Sequence, residues 1–223
     1  MVKIKRSPKP EKYNIHSDEF FRTLRKDFHN KCYICEQKGF KDAEKEHLIP
    51  QSEDESLKRD WDNIFFACST CNNIKGTVKI IDCTKIDPEE YIELRYKSND
   101  SYNESILVNI RDRGKDTKFL TETIEILTKV YNSNEPAGRE HASNTLRSYV
   151  NAELVEFEKR LKPYIDIDDE ETDEAIKKRF LERIKQLLQI DTQFAAFKRQ
   201  IIRDSKNPKL LNLKKCLELG AEA

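Results

Sequence analysis

Two Cys-x-x-Cys pairs constrain this chain more than any other feature. Cys32 and Cys35 form one pair and Cys68 and Cys71 the other, with 32 residues between them. Two such knuckles can close one tetrahedral site around zinc. Its filled d shell accepts four thiolates without redox chemistry and leaves no position for water, so the site is structural. Zinc binding of this kind is worth roughly 10 to 16 kcal/mol in finger peptides, enough to fold a segment short of apolar residues. The alternatives are two disulfides or four unrelated buried thiols. Cys83 and Cys216 have no neighbour at ligand spacing and read as small buried apolar residues.

The remaining composition narrows the class. At 223 residues the chain has room for one ordinary domain or two small ones. Charged residues make up 37% and cancel to zero, so net charge alone points to no polyanionic partner. The distribution is uneven. Lys3, Lys5, Arg6, Lys9 and Lys12 face only Glu11 in the first 13 residues, a basic arm suited to phosphates, while residues 166 to 174 hold seven Asp or Glu. That acidic stretch reads as a solvated loop. No run of eighteen apolar residues occurs, and the opening MVKIKRSPKPEKY lacks the apolar stretch of a signal peptide, so a cytoplasmic protein with no membrane contact is expected. A reducing compartment favours thiolate ligands over disulfides.

Changes of periodicity divide the chain into four segments. Residues 1–31 are the basic arm and a helix capped by Ser17, with Phe20, Phe21, Leu24 and Phe28 at helical spacing. Residues 32–78 are short and irregular, with an apolar strand at Ile64-Phe65-Phe66. Residues 79–117 form a linking segment, strand-like at Val78 to Ile81 and turning at Asn99-Asp100-Ser101. Residues 118–223 are helical, with one stripe through Leu120, Ile124, Leu127 and Tyr131 and another through Leu146, Val150, Leu154, Phe157 and Leu161. Pro163 and the acidic stretch break the pattern, after which one long helix is expected from Ile176 to Ile201, stopping near Pro208. Leu181, Leu188, Ala195 and Ile202 recur every seven residues, as a partner-binding seam or as ordinary packing within the bundle.

Between the knuckles lie Glu46-His47-Leu48-Ile49-Pro50 and then Asn63, and the second knuckle runs into Asn72-Asn73-Ile74-Lys75-Gly76. Each group alone says little; their order relative to both knuckles carries the signal. This arrangement resembles the HNH endonuclease family with its ββα-metal fold, over about residues 32 to 76. Outside that region, Val2 to Arg6, Ile81-Asp82-Cys83 with Asp87-Pro88-Glu89, and the helical half resemble the PtuB-type HNH proteins of Septu and retron-associated antiphage systems. The expected architecture is therefore α+β and mainly helical, with a small ββα-metal core stapled by the four-cysteine zinc and a helical C-terminal region.

The resemblance implies phosphodiester hydrolysis in nucleic acid, DNA or RNA. An imidazole is commonly neutral near pH 7 and can accept a water proton, which assigns His47 as general base. Successive strand side chains alternate, so Glu46 points away from His47 and can hold a metal. By resemblance Asn72 is the second ligand of a magnesium ion or another divalent cation, with Asn73 taking its place if the helix register differs. Asn63 braces the loop between the strands, and Lys75 either touches phosphate or is a solvated surface residue. The resemblance also implies a partner, an ABC- or SMC-type ATPase, docked on the C-terminal helices. His16, His29 and His141 read as surface or packing residues. The competing function is a non-catalytic zinc module that binds nucleic acid or protein.

Overall fold

The computed structural model describes residues 1–10, 14–98, 104–133, 139–168 and 171–218, with residues 139–141 described by backbone alone. Helix α1 (Asp18–Asp27) starts where Ser17 Oγ accepts the Phe20 amide at 3.1 Å, and it buries Phe20 and Leu24. Strand β1 (Ala43–His47) pairs antiparallel with β2 (Ile64–Cys68), and α2 (Ser69–Lys75) follows β2 without a break. A second hairpin joins β3 (Ile92–Ser98) to β4 (Glu104–Ile110). Helices α3 (Leu120–Asn132), α4 (Arg139–Asp166), α5 (Glu174–Leu187), α6 (Ala195–Asp204) and α7 (Leu211–Glu218) complete the chain. The result is α+β, with helices outnumbering two small sheets.

One buried apolar cluster runs from Met1 through the knuckles and both hairpins to Phe197, so all four sequence segments contribute to a common core. A smaller cluster joins Phe157, Leu161, Ile184, Leu188 and Ile202 to Leu210, Leu213 and Leu217. The start of the chain is part of the larger core, with Met1, Val2 and Ile4 buried and the Ile4 amide donating to Cys83 O at 2.8 Å. Among the described residues of the expected basic arm, Lys3, Lys5 and Lys9 are exposed and Arg6 is not. The Arg6 guanidinium lies 4.2 Å from the centre of the Trp61 ring, a cation–π contact, and donates to Ile64 O at 2.9 Å, which ties the first residues to the start of β2. Glu11, Lys12 and the expected turn at Asn99-Asp100-Ser101 lie outside the described residues.

Three expectations change. The linking segment is organised by the β3–β4 hairpin, not by a strand at Val78 to Ile81. Ile80 and Ile81 are buried in irregular chain, and Asn132 grips β4 through both backbone groups of Ile106 at 2.8 Å. Pro163 lies inside α4, where its missing N–H weakens the last turn without ending the helix before Asp166. The single helix from Ile176 to Ile201 is two helices separated at residues 188–194. There Phe194 adopts φ 51°, and Thr192 Oγ1 donates to Leu187 O and Gln189 O. Of the seven-residue repeat, Leu188, Ala195 and Ile202 are fully buried within the chain as internal packing, and Leu181 is half-buried against the smaller cluster.

Candidate active site and metal centre

The β1–β2–α2 unit is held by apolar contact on both faces of β2, every residue of which is buried. Phe65 lies 4.9 Å from Tyr33 and 5.4 Å from Phe28 between ring centres, while Phe66 meets Phe21 and Phe40 on the other side. Tyr33, within the first knuckle, donates its amide to Phe66 O at 3.1 Å. The first knuckle is thus docked against the strand that ends in the second.

The consequence is a compact sulfur cluster. The Sγ atoms of Cys32, Cys35, Cys68 and Cys71 all lie within 4.8 Å of one another, and all four residues are buried. A tetrahedron with Zn–S bonds of about 2.3 Å has edges of about 3.8 Å, so the cluster fits zinc. Burial opposes ionisation of Cys32, but hydrogen bonds from Cys35, Cys68 and Cys71 pull its thiol well below the ordinary range, while Cys35 and Cys71 are pushed up. Four sulfurs this close become thiolates together only when a cation neutralises them. Among the described residues this is the one group of metal-ligating side chains of this kind, and the six cysteines form no disulfide.

His47 ends β1 on the side facing the β1–β2 loop. Its Nε2 lies 2.9 Å from Lys58 O, and Gln51 Nε2 lies 3.1 Å from Nδ1. A carbonyl can only accept, so Nε2 carries the proton and Nδ1 presents its lone pair toward the Gln51 amide. The loop is braced from inside by Asn63, whose Oδ1 accepts Ile49 N at 2.7 Å. Its Nδ2 donates to Ile49 O at 3.0 Å and to Leu57 O at 3.3 Å. Asn63 therefore fixes the loop whose Lys58 carbonyl orients the imidazole.

The opposite face of β1 meets α2. Glu46 is 5% exposed and accepts Lys75 Nζ at 2.5 Å, while the same ammonium donates to His47 O at 2.9 Å. Burial pushes the Glu46 carboxyl above its ordinary value, against the pull of Lys75, and the charge of Glu44 adds to the push. One turn earlier on α2, Asn72 Nδ2 donates to Glu44 Oε2. Glu44 and Asn72 thus meet between β1 and α2 beside Glu46, whose carboxylate is held by the Lys75 ammonium; carboxylate and amide oxygens are donors that suit a hard divalent cation, which at Glu46 would take the place of Lys75. Lys75 is neither a surface residue nor placed to touch phosphate: it is 1% exposed and pairs with Glu46.

The structure therefore places His47 on one side of β1 and Glu46 on the other. Asn72 meets β1 at Glu44, and Asn73 is exposed. Glu44 was absent from the residues singled out in the sequence, although it precedes Glu46 by two and shares its face by strand alternation. Gln51 was also missed, and no sequence signal marks it. His16 is exposed and His29 half-buried, while the side chain of His141 lies outside the described residues. Cys83 is fully buried, as its isolation in sequence implies, whereas Cys216 is only half-buried.

A family model described as HNH endonuclease matches residues 32–77. No curated protein and no solved structure matches the chain. The matched residues begin at the first zinc ligand and end just after α2, enclosing both knuckles, His47, Asn63 and Asn72. Over these residues, about a fifth of the chain, the protein is similar to the HNH endonuclease family.

Proposed function

We propose that the protein is a metal-dependent endonuclease that hydrolyses phosphodiester bonds in nucleic acid, with DNA as the first substrate to test and RNA as the second. The observation that carries this reading is His47 itself. Its imidazole is oriented by the Lys58 carbonyl, which accepts from Nε2 and leaves Nδ1 as the nitrogen that meets the attacking water once the water takes the place of the Gln51 amide. Nδ1 takes a proton from the water whose oxygen attacks phosphorus, a contribution of roughly 10² to 10⁴ in rate. The Lys58 carbonyl, accepting from Nε2, stabilises the imidazolium that results. The leaving oxygen is protonated from solvent as its bond to phosphorus breaks. Glu46 and Asn72 would hold Mg²⁺ or another divalent cation, which when bound offsets the charge building on the phosphate and leaving oxygen. The zinc stays structural.

The resemblance of the flanking sequence to PtuB-type proteins supports a role as effector nuclease of an antiphage system. In that role the protein acts in the cytoplasm beside an ABC- or SMC-type ATPase docked on the C-terminal helices. Among the described residues no helix is long and apolar enough to cross a membrane. The test is incubation of supercoiled plasmid and structured RNA with the purified protein, alone and with its ATPase, in Mg²⁺ or EDTA. Nicking that needs Mg²⁺, and that His47→Ala slows by about 10² or more with zinc content and melting temperature unchanged, supports the reading. Loss of folding in His47→Ala, or no metal-dependent cleavage with the ATPase present, overturns it.

A further inference from the structure

We infer that Glu44 is a positioning residue: its carboxylate turns the Asn72 amide so that Oδ1, not Nδ2, is left to face a divalent cation. The inference rests on the endonuclease reading and deepens it. An asparagine coordinates a cation only through its oxygen, and nothing in the shape of an amide distinguishes its two ends. The environment has to choose. An ionised carboxylate can only accept, so a carboxylate against one end of the amide selects nitrogen for that end and oxygen for the other.

The fold supplies this selection. Glu44 is the second residue of β1 and sits opposite Ala67, where the paired strand fixes its backbone, and it shares the α2-facing side with Glu46. Asn72 lies on the short helix that starts at the second knuckle, and its Nδ2 donates to Glu44 Oε2. Lys75, one turn on, donates to Glu46 and His47 O, so the ammonium that would compete for Glu44 is held elsewhere. Strand and helix thus meet at two polar contacts: one neutralises Glu46 and the other orients Asn72. Partners that orient a ligand in this way typically contribute about 10- to 100-fold in metal affinity.

The experiment is an Mn²⁺ titration of the zinc-loaded full-length protein, followed by the electron paramagnetic resonance of free Mn²⁺, with zinc content and melting temperature recorded for every variant. Glu44→Gln and Glu44→Met remove the same charge and nearly the same volume, and neither holds the Asn72 amide one way round, since a Gln amide donates as readily as it accepts. The expected result is that both bind Mn²⁺ about 10-fold more weakly than wild type. In an Asn72→Asp background that loss shrinks, because a carboxylate offers oxygen whichever way it turns. A loss of the same size in both backgrounds, with Asn72→Ala still weakening binding, overturns the role of Glu44 and leaves the endonuclease reading standing. Wild-type protein that binds no Mn²⁺ overturns both.

Discussion

Replacing Lys75 by methionine keeps most of the side-chain volume and removes the ammonium that neutralises Glu46. Lys75 is 1% exposed and Glu46 5%, and the pair is separated by 2.5 Å, so neither charge has water to fall back on. Breaking one side of such a buried pair costs about 3 to 5 kcal/mol, because the surviving charge is left without a partner. For a chain of this size each kcal/mol is worth about 2 to 4 °C, which places the fall in melting temperature at about 6 to 20 °C. Thermal unfolding followed by circular dichroism at pH 7 measures it. Glu46→Gln with Lys75→Met should recover at least half of the loss. The pH dependence has a definite sign. Burial holds the Glu46 carboxyl above its ordinary value, so its protonated form suits the folded state. The penalty in Lys75→Met is therefore smallest below the unfolded carboxyl range and grows as pH rises through the folded value. A loss under about 1 kcal/mol at pH 7, or one equal at about pH 5 and pH 7, would refute the argument that charge neutralisation joins α2 to β1.

Elemental analysis should find one zinc per chain. Cys71→Ser, or a strong chelator, should remove it with loss of tertiary structure, since such sites supply about 10 kcal/mol or more; full retention of structure without zinc would contradict a stapling role. Asn63→Ala strands the Ile49 amide, the Ile49 carbonyl and the Leu57 carbonyl, at about 1 to 3 kcal/mol for each buried group that water cannot reach. Cleavage should fall with it, as the loop holding His47 loosens; unchanged stability would show that water replaces the amide. Burial alone would raise the Glu36 carboxyl, but the Met1 ammonium at 2.8 Å and Lys31 at 3.2 Å outweigh it and hold the group at about 2. The stability it contributes is complete above the unfolded carboxyl pKa of about 4.3 and is lost as pH falls toward 2. Acid titration of unfolding should show a shallower slope between these values in Glu36→Gln, and identical slopes would count against the pair.

What could be read from residues alone was whatever local pattern decides. Ser17 announces α1 because a hydroxyl before an apolar helical stripe has one obvious use, and Ile64 to Phe66 announce β2 because three adjacent large apolar side chains need both faces covered. The cysteine cluster was legible from spacing, whereas the bonds of Asn63 to Ile49 and Leu57 depend on how the loop folds back on it. The β3–β4 hairpin was obscured because Leu107, 39% exposed, interrupts the alternation of β4 with an outward apolar residue. The α5–α6 break has no glycine or proline to mark it. Phe194 takes a left-handed backbone because its ring is fully buried against Phe197, a tertiary demand that overrides local preference. The burial of Lys31, Lys75 and Lys198 depends on partners that lie 5 to 161 residues away, which no local pattern shows. The position of Glu44 opposite Asn72 depends on how a helix lies along a strand, which spacing does not encode.

The family match stops at residue 77, but the bonds that shape its first knuckle do not. Lys31 Nζ donates to Ile190 O at 2.5 Å and Thr192 O at 3.0 Å, Ala196 N donates to Glu36 Oε2 at 3.3 Å, and Tyr131 Oη donates to Cys35 O at 3.0 Å. The turn between α5 and α6 is therefore the back wall of the zinc loop. Cutting out the matched residues as a transplantable cassette would uncover Glu36 and leave the Cys35 carbonyl facing solvent. Conversely, a ligand that levers α5 away from α6 pulls directly on the loop that carries two of the four sulfurs.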